Sequence, residues 1–125
     1  MIRKLLLLSL VWSLFLPTVS FANADLDMLD SLSFKATIMI DGVETEWEYV
    51  NPAEYEWEKG NEVIKDEKAK QEVQKVFKKL NVNKNAKSEE MVKVFEEMGY
   101  TNIEKLDVRW IDRDGELYTW VWESK

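Results

Sequence analysis

Two Asp-Gly pairs constrain the fold of this chain more than any other feature. The first, Asp41-Gly42, separates two runs of alternating apolar and polar residues between positions 34 and 49. Alternation with a period of two is typical of half-buried β-strands, and Asp-Gly favours a type I′ turn because both central residues need a positive φ. A two-residue turn pairs Ile40 with Val43 and brings the apolar residues of both strands to one face. Register and hydrophobic pattern therefore agree, and a slip of one residue would destroy that agreement.

The second pair, Asp114-Gly115, leaves two hairpin registers open. A two-residue turn would place arginines on the same face as Trp120 and Trp122. A three-residue loop, 113–115, with Gly115 in the left-handed region, gathers the large residues on one face instead. We favour this loop, because each large side chain that becomes buried contributes roughly 1.5–3 kcal/mol, which is more than any turn preference. The loop predicts three pairs: Trp110 with Tyr118, Val108 with Trp120 and Leu106 with Trp122.

A third strand and two helices are predicted between the hairpins. Tyr55 and Trp57 alternate with glutamates, and this spacing puts both rings on one face of a strand. Apolar residues then recur twice at helical spacing. Asp66 is the predicted N-cap of the first helix, and Ser88 is that of the second, which ends before Gly99. The order β-β-β-α-α-β-β predicts an α+β domain, with an antiparallel sheet of about five strands and two helices packed on one face.

The N-terminal residues have the pattern of a signal peptide. An apolar run from Leu5 to Leu16 follows two basic residues, and it is short for a membrane span but of the right length for a signal core. Ala22-Asn23-Ala24 supplies the small residues of a cleavage site. We predict a signal peptide at 1–24 with cleavage after Ala24; a cut after Ala22 and an uncleaved anchor helix are the alternatives. Residues 25–32 are then a flexible lead-in and 33–125 a single α+β domain of a secreted, extracellular protein.

The composition excludes several kinds of chemistry. The chain has no histidine and no cysteine, so the usual zinc ligands, thiol nucleophiles, lipid-carrying cysteines and histidine acid–base catalysis are absent. Two of the 17 basic residues precede the predicted cleavage site, which leaves 15 against 24 acidic residues and a net charge of −9. This charge repels nucleic acid and anionic lipid and favours cations or basic partners. We therefore predict no cofactor, no nucleic-acid partner and no stable membrane insertion after cleavage, and the oligomeric state stays open.

The candidate binding surface is a set of glutamates on the polar face of the second and third strands. Like charges that lie opposite one another destabilise a sheet, so such a face needs salt, Lys35, a cation or a basic partner. Two interpretations remain: a solvated face that lysines partly neutralise, or a docking surface for a basic protein segment or for divalent cations. The residues are Glu44, Glu46, Glu48, Glu54, Glu56 and Glu58.

Two other candidate sites have simpler structural interpretations. Asp112, Asp114 and Glu116 fit part of a calcium loop, with Gly115 at its sixth position, but a tryptophan and a valine occupy the first and last ligand positions. We therefore expect a hairpin loop with solvated acids and no metal ligands. Eight aromatic residues could stack on cell-wall sugars if they were exposed, but both hairpin registers place most of them in the core. They are Trp47, Tyr49, Tyr55, Trp57, Trp110, Tyr118, Trp120 and Trp122.

Three segments of the second half carry a family resemblance: KKLNVNKN at the end of the first helix, SEEMVKVFEEMGY in the second, and the closing KLDVRWIDRDGELYTWVWE. With the acidic first hairpin, they resemble the YusW-like family of small exported proteins of Gram-positive bacteria, over about residues 33–123. The resemblance implies no assigned activity and no catalytic residues. Many members are similar to lipoproteins with a cysteine at the cleavage site; this chain departs from them there, which favours a released protein. The layout is also similar to that of the PepSY type of domain, which is linked with inhibition of secreted proteases.

These features together predict a small, exported, non-catalytic domain that binds another protein or a cell-envelope component. An inhibitor or chaperone of a secreted enzyme, with a PepSY-like role, is the alternative from a different functional class. A hydrolase of wall polymers would have to use carboxylates alone, and nothing in the sequence singles out a pair of acids for that chemistry.

Overall fold

The computed structural model describes residues 28–125, so the predicted signal peptide at 1–24, its cleavage site and the start of the lead-in lie outside the described residues. Within this range, six strands form one open antiparallel sheet in the order β4-β3-β2-β1-β5-β6. The α+β prediction is confirmed, with one strand more than the five that were expected. The elements are β1 (Ser33–Ile40), β2 (Val43–Val50), β3 (Glu54–Lys59), β4 (Glu62–Ile64), α1 (Glu67–Leu80), α2 (Ser88–Glu97), β5 (Lys105–Ile111) and β6 (Leu117–Glu123).

The first hairpin, β1–β2, has the predicted turn and register. Asp41 and Gly42 both have positive φ, 51° and 74°, as a type I′ turn requires. Ile40 pairs with Val43, and the pairing continues without a slip to the far ends of both strands. The turn chemistry and the hydrophobic alternation therefore specify the same register, which fixes the face on which each side chain of β2 lies.

The second hairpin, β5–β6, adopts the three-residue loop. Trp110 pairs with Tyr118, and the other two predicted pairs are also present. The Asp112 N–H donates to the Glu116 carbonyl at 3.0 Å, which closes the loop around residues 113–115. Gly115 has a φ of 82°, in the left-handed region as predicted. The predicted loop and register are confirmed.

The two helices begin and end close to the predicted positions, with one correction. The Asp66 side chain accepts a hydrogen bond from the Lys68 N–H at 2.9 Å, so Asp66 is the N-cap of α1 as predicted. Ser88 was predicted as the N-cap of α2, but it is the first helical residue, and the extended Lys87 is the N-cap without a side-chain hydrogen bond. The reason lies in the backbone, because the Lys87 carbonyl already accepts from the Met91 N–H.

The core lies between the helices and one face of the sheet, which we call the inner face. Phe77 of α1 meets Phe34 edge to face, with ring centroids 5.1 Å apart. Phe95 of α2 lies 5.2 Å from Trp47 of β2. Both helices therefore pack on the inner face, as predicted, and no helix of residues 28–125 lies on the opposite face, which we call the outer face. The buried strand residues are Phe34, Ala36, Ile38, Trp47, Tyr49, Trp57, Leu106, Val108 and Trp120.

Residues 28–32 pack on the domain, which differs from the loosely ordered lead-in that was expected. Met28 is fully buried, and the buried Ser31 hydroxyl accepts a hydrogen bond from the Trp110 indole N–H at 2.7 Å. The Asn51 side chain donates to the carbonyls of Leu29 and Ser31. The acidic composition of this segment did not indicate that the Met28 side chain is buried.

None of the helices within residues 28–125 is both long enough and apolar enough to cross a membrane.

Candidate functional site: the acidic sheet face

The six predicted glutamates lie on the outer face of β2 and β3, because they alternate with residues that point to the core. Glu46 lies directly opposite Glu58, and Glu48 lies directly opposite Glu56. We call these four residues the glutamate square. Glu44 and Glu54 stand at its two ends; both are exposed, and they pair with Met39 and Val50 rather than with acids.

Lysines neutralise only part of the glutamate square. The Lys35 ammonium lies 2.7 Å from a Glu46 carboxylate oxygen and 3.7 Å from one of Glu48. Lys65, which follows β4, lies 3.6 Å from Glu56. No ion pair within residues 28–125 includes Glu58. Two direct carboxylate pairs thus share two lysines, and the corner of the square without a lysine is Glu58.

The carboxylate of Glu58 holds its proton more tightly than an ordinary glutamate. Its hydrogen bond with Glu56, its partial burial and the negative charge of Glu46 raise its pKa from 4.5 to about 7. A neighbouring carboxylate disfavours the ionised form of a carboxyl group, so the proton is retained where the three carboxyl groups converge. At pH values below about 7 the square therefore carries a bound proton at the position where a lysine is absent.

The raised pKa of Glu58 predicts that the domain loses stability as the pH rises from about 4.5 to about 7. In this window the unfolded chain has released the Glu58 proton while the folded chain still binds it, so the free energy of unfolding falls. Because the group is open to solvent and screened by salt, we expect a loss of about 1 kcal/mol rather than the full value of the shift.

The test is urea unfolding at low salt, at the two ends of this pH window, for the protein and for Glu58→Gln. Glutamine keeps the shape and the neutral hydrogen bond, so the variant should gain stability relative to the parent at the higher pH. An equal difference between the two proteins at both pH values would contradict the assignment.

The outer face changes character from the acidic strands towards β5. A shallow depression of about 340 Å³ lies over Thr37, between the glutamates of β2 and the side chains of β5. Its far wall contains Lys105 and Arg109, and Arg109 contacts Asp107 at 3.3 Å. These basic residues are neighbours of the square that the sequence did not assign to it. Only the pairing of β1 with β5 brings them there, and sequence periodicity carries no signal for that pairing.

The acids of the second hairpin have a structural role. Asp112 is buried, and one of its carboxylate oxygens accepts the N–H groups of Asp114 and Glu116, both at 3.0 Å. Asp114 and Glu116 are themselves exposed. Across residues 28–125, no group of three or more acidic side chains is placed to hold a metal ion. The expectation of solvated acids is therefore wrong for Asp112, whose carboxylate folds back on its own hairpin.

The aromatic residues divide between the core and its margin. Trp47, Tyr49, Trp57 and Trp120 are buried, while Tyr55, Trp110, Tyr118 and Trp122 are half-buried and pack against the core. The expectation that most of these rings serve the core is confirmed. Three rings of β5 and β6 lie in a row. The ring centroids of Trp110 and Tyr118 are separated by 5.3 Å, and those of Tyr118 and Trp120 by 6.4 Å.

In comparisons with known proteins, no family model, no curated protein and no solved structure matches the chain. The YusW-like resemblance therefore stays a prediction.

Proposed function

We propose that this protein is an exported, non-catalytic binding domain whose glutamate square docks a basic segment of another protein. The observation that carries the proposal is the direct opposition of two carboxylate pairs, Glu46 with Glu58 and Glu48 with Glu56, on a sheet face that neither described helix covers. Opposed acids weaken a sheet, and a basic partner would remove that cost on binding.

The spacing of the square suits an extended chain. Neighbouring strands are about 4.8 Å apart, and residues two apart on one strand repeat about every 6.7 Å. Side chains on one side of an extended segment have the same repeat. Lysines at alternate positions could therefore each reach one row of the square, Glu46–Glu58 or Glu48–Glu56. This match in repeat favours an extended basic segment over a compact ligand.

The square already binds an ammonium group within its own chain. Lys35 reaches Glu46 and Glu48 from β1, so the oxygen atoms on that side are oriented for a lysine. The β3 side has Lys65 near Glu56 and no basic partner for Glu58 within residues 28–125. A partner lysine placed beside Glu58 would displace its proton and complete the pattern that Lys35 begins. We therefore favour a basic segment over divalent cations, which need several oxygens converging on one point.

The binding test uses a synthetic peptide of alternating lysine and threonine, with affinity measured by calorimetry at low salt. Glu58→Lys places an ammonium between Glu46 and Glu56, so folding should be retained. The new ammonium takes the place that a partner lysine would occupy beside Glu58. We expect this variant to bind the peptide at least about tenfold more weakly, which corresponds to the loss of one desolvated charge pair. Replacing both Glu46 and Glu56 with lysine should abolish binding, although it also sets Lys35 against a like charge.

The matched control is Glu96→Lys, which makes the same change in net charge on an exposed position of α2. It should bind within about twofold of the parent, since it lies on the helical side of the molecule. An equal loss of affinity in both variants would mean that the peptide responds to net charge and not to the square. Binding by the parent should also strengthen between pH 6 and 8, because Glu58 must lose its proton to accept a lysine.

A further inference from the structure

The two edges of the sheet differ in a way that bears on association. At one edge, β4 has three residues, and such a short strand offers little to pair with. At the other edge, β6 has seven residues, Leu117–Glu123, rich in aromatic and β-branched types and without a lysine or proline. Long, regular edges of this composition are the ones to which another strand adds most readily.

The hydrogen-bonding phase of β6 shows which groups are free. At its two ends, the Glu116 carbonyl accepts from the Asp112 N–H and the Ser124 N–H donates to the Glu104 carbonyl. The main-chain N–H and C=O groups of the even-numbered residues therefore face β5. The N–H and C=O groups of Leu117, Thr119 and Val121, and those of Glu123, therefore point away from the sheet. In the part of the chain that the structure describes, β6 has no strand on this side.

The side chains of this edge are also incompletely covered. Leu117 and Val121, on the outer face, are 60% and 59% exposed, among the highest values for the large apolar residues. On the inner face, Tyr118 and Trp122 are half-buried at the margin of the core. An added strand would cover apolar surface on both faces as well as pair the main chain.

We propose that β6 pairs antiparallel with β6 of a second copy of this chain, about a two-fold axis at Trp120. In this register Leu117 lies opposite Glu123 of the second copy, and Thr119 lies opposite Val121. All the outward N–H and C=O groups of both strands are then paired, because these are the positions that exchange hydrogen bonds in an antiparallel ladder. The interface is isologous, as a two-fold axis requires.

A second copy fits this edge better than an unrelated strand because the edge is complementary to itself. Tyr118 falls opposite Trp122 of the second copy on the inner face, so the row of rings that begins at Trp110 continues across the interface. No two acids are directly opposed: Glu123, which lies 3.9 Å from Lys105 of its own chain, meets a leucine. The inner faces of both copies also fall on the same side of the joined sheet.

The test is sedimentation of the purified full-length protein, as secreted by an expression host, over a wide concentration range. We expect a monomer–dimer equilibrium, with N–H groups of Thr119 and Val121 that become protected from hydrogen exchange as the concentration rises. Thr119→Pro removes an N–H that points outward and leaves the β5 ladder intact, so the monomer should fold and dimerise at least about tenfold more weakly. Thr119→Ala, the matched control, should dimerise like the parent.

A second variant, Val121→Lys, keeps every main-chain group but places a charge on the exposed edge, and it should also weaken the dimer. A monomer at all concentrations would overturn the proposal, and so would a dimer that neither Thr119→Pro nor Val121→Lys weakens. Pairing of β6 with an added peptide of its own sequence, without self-association of the protein, would assign the edge to a different partner and would equally overturn it.

Discussion

Replacing Trp47 with alanine is expected to lower the free energy of unfolding by about 3–5 kcal/mol, a large part of the stability of a domain of this size. Trp47 is fully buried, and its ring lies 5.2 Å from that of Phe95 and 5.5 Å from that of Tyr100. It also pairs with Ala36 and Trp57 on neighbouring strands. Its indole N–H has no partner among the described residues, so the loss comes from packing and not from a broken hydrogen bond.

The measurement is urea unfolding followed by circular dichroism, with Val63→Ala as the control. Val63 is 51% exposed on β4, so truncation to alanine there should change the stability by less than about 0.5 kcal/mol. Trp47→Phe retains a ring and loses less, which keeps the effect measurable if the alanine variant is unfolded. A loss below about 1 kcal/mol for Trp47→Ala would show that this ring does not organise the core.

Asp112→Ala is expected to cost about 2–3 kcal/mol, the second largest effect. The carboxylate of Asp112 is buried and accepts two backbone N–H groups of the loop that joins β5 to β6. Removal leaves both donors without their acceptor and loosens the loop that fixes the register of the hairpin. Asp112→Asn keeps an acceptor oxygen at the same place and should lose less than half as much.

The control for this loop is Asp114→Ala. Asp114 is exposed, and it contributes to the loop through its main-chain N–H, which donates to Asp112. It should unfold at nearly the same urea concentration as the parent. If Asp112→Ala and Asp114→Ala were equally mild, the loop would be held by Gly115 and the strands alone, and the carboxylate would have no structural role.

Hairpin registers follow from the sequence because they depend on neighbours along the chain. At Asp41-Gly42 the turn chemistry and the alternation of the flanking residues agree, and at 113–115 the burial of rings decides between two loops. The pairing of β1 with β5 has no such local signal: Phe34 meets Trp110 across a large separation in sequence. Strand β4 was missed because three residues are too few to show a period.

The shared face of the six glutamates follows from the sequence, but their electrostatics do not. Alternation places the glutamates on the outer face, and a strand pairing predicts Lys35 beside Glu48. In the structure the shorter contact of Lys35 is with the diagonal neighbour Glu46. Lys65, which lies near Glu56, follows β4 in the sequence. The raised pKa of Glu58 depends on where the side-chain oxygens converge. These contacts depend on side-chain positions that residue order does not fix.

The position of β1 at the centre of the sheet determines when the chain can fold. β1 can pair with β2 as soon as both are made, but its other neighbour, β5, is synthesised much later, and contacts this distant in sequence form slowly. Until then β1 is a free edge, and Leu106 and Val108 are missing from the core. A chain that emerges from its N-terminus therefore keeps this edge open until β5 has been made, and the β5–β6 hairpin then completes both the sheet and the core.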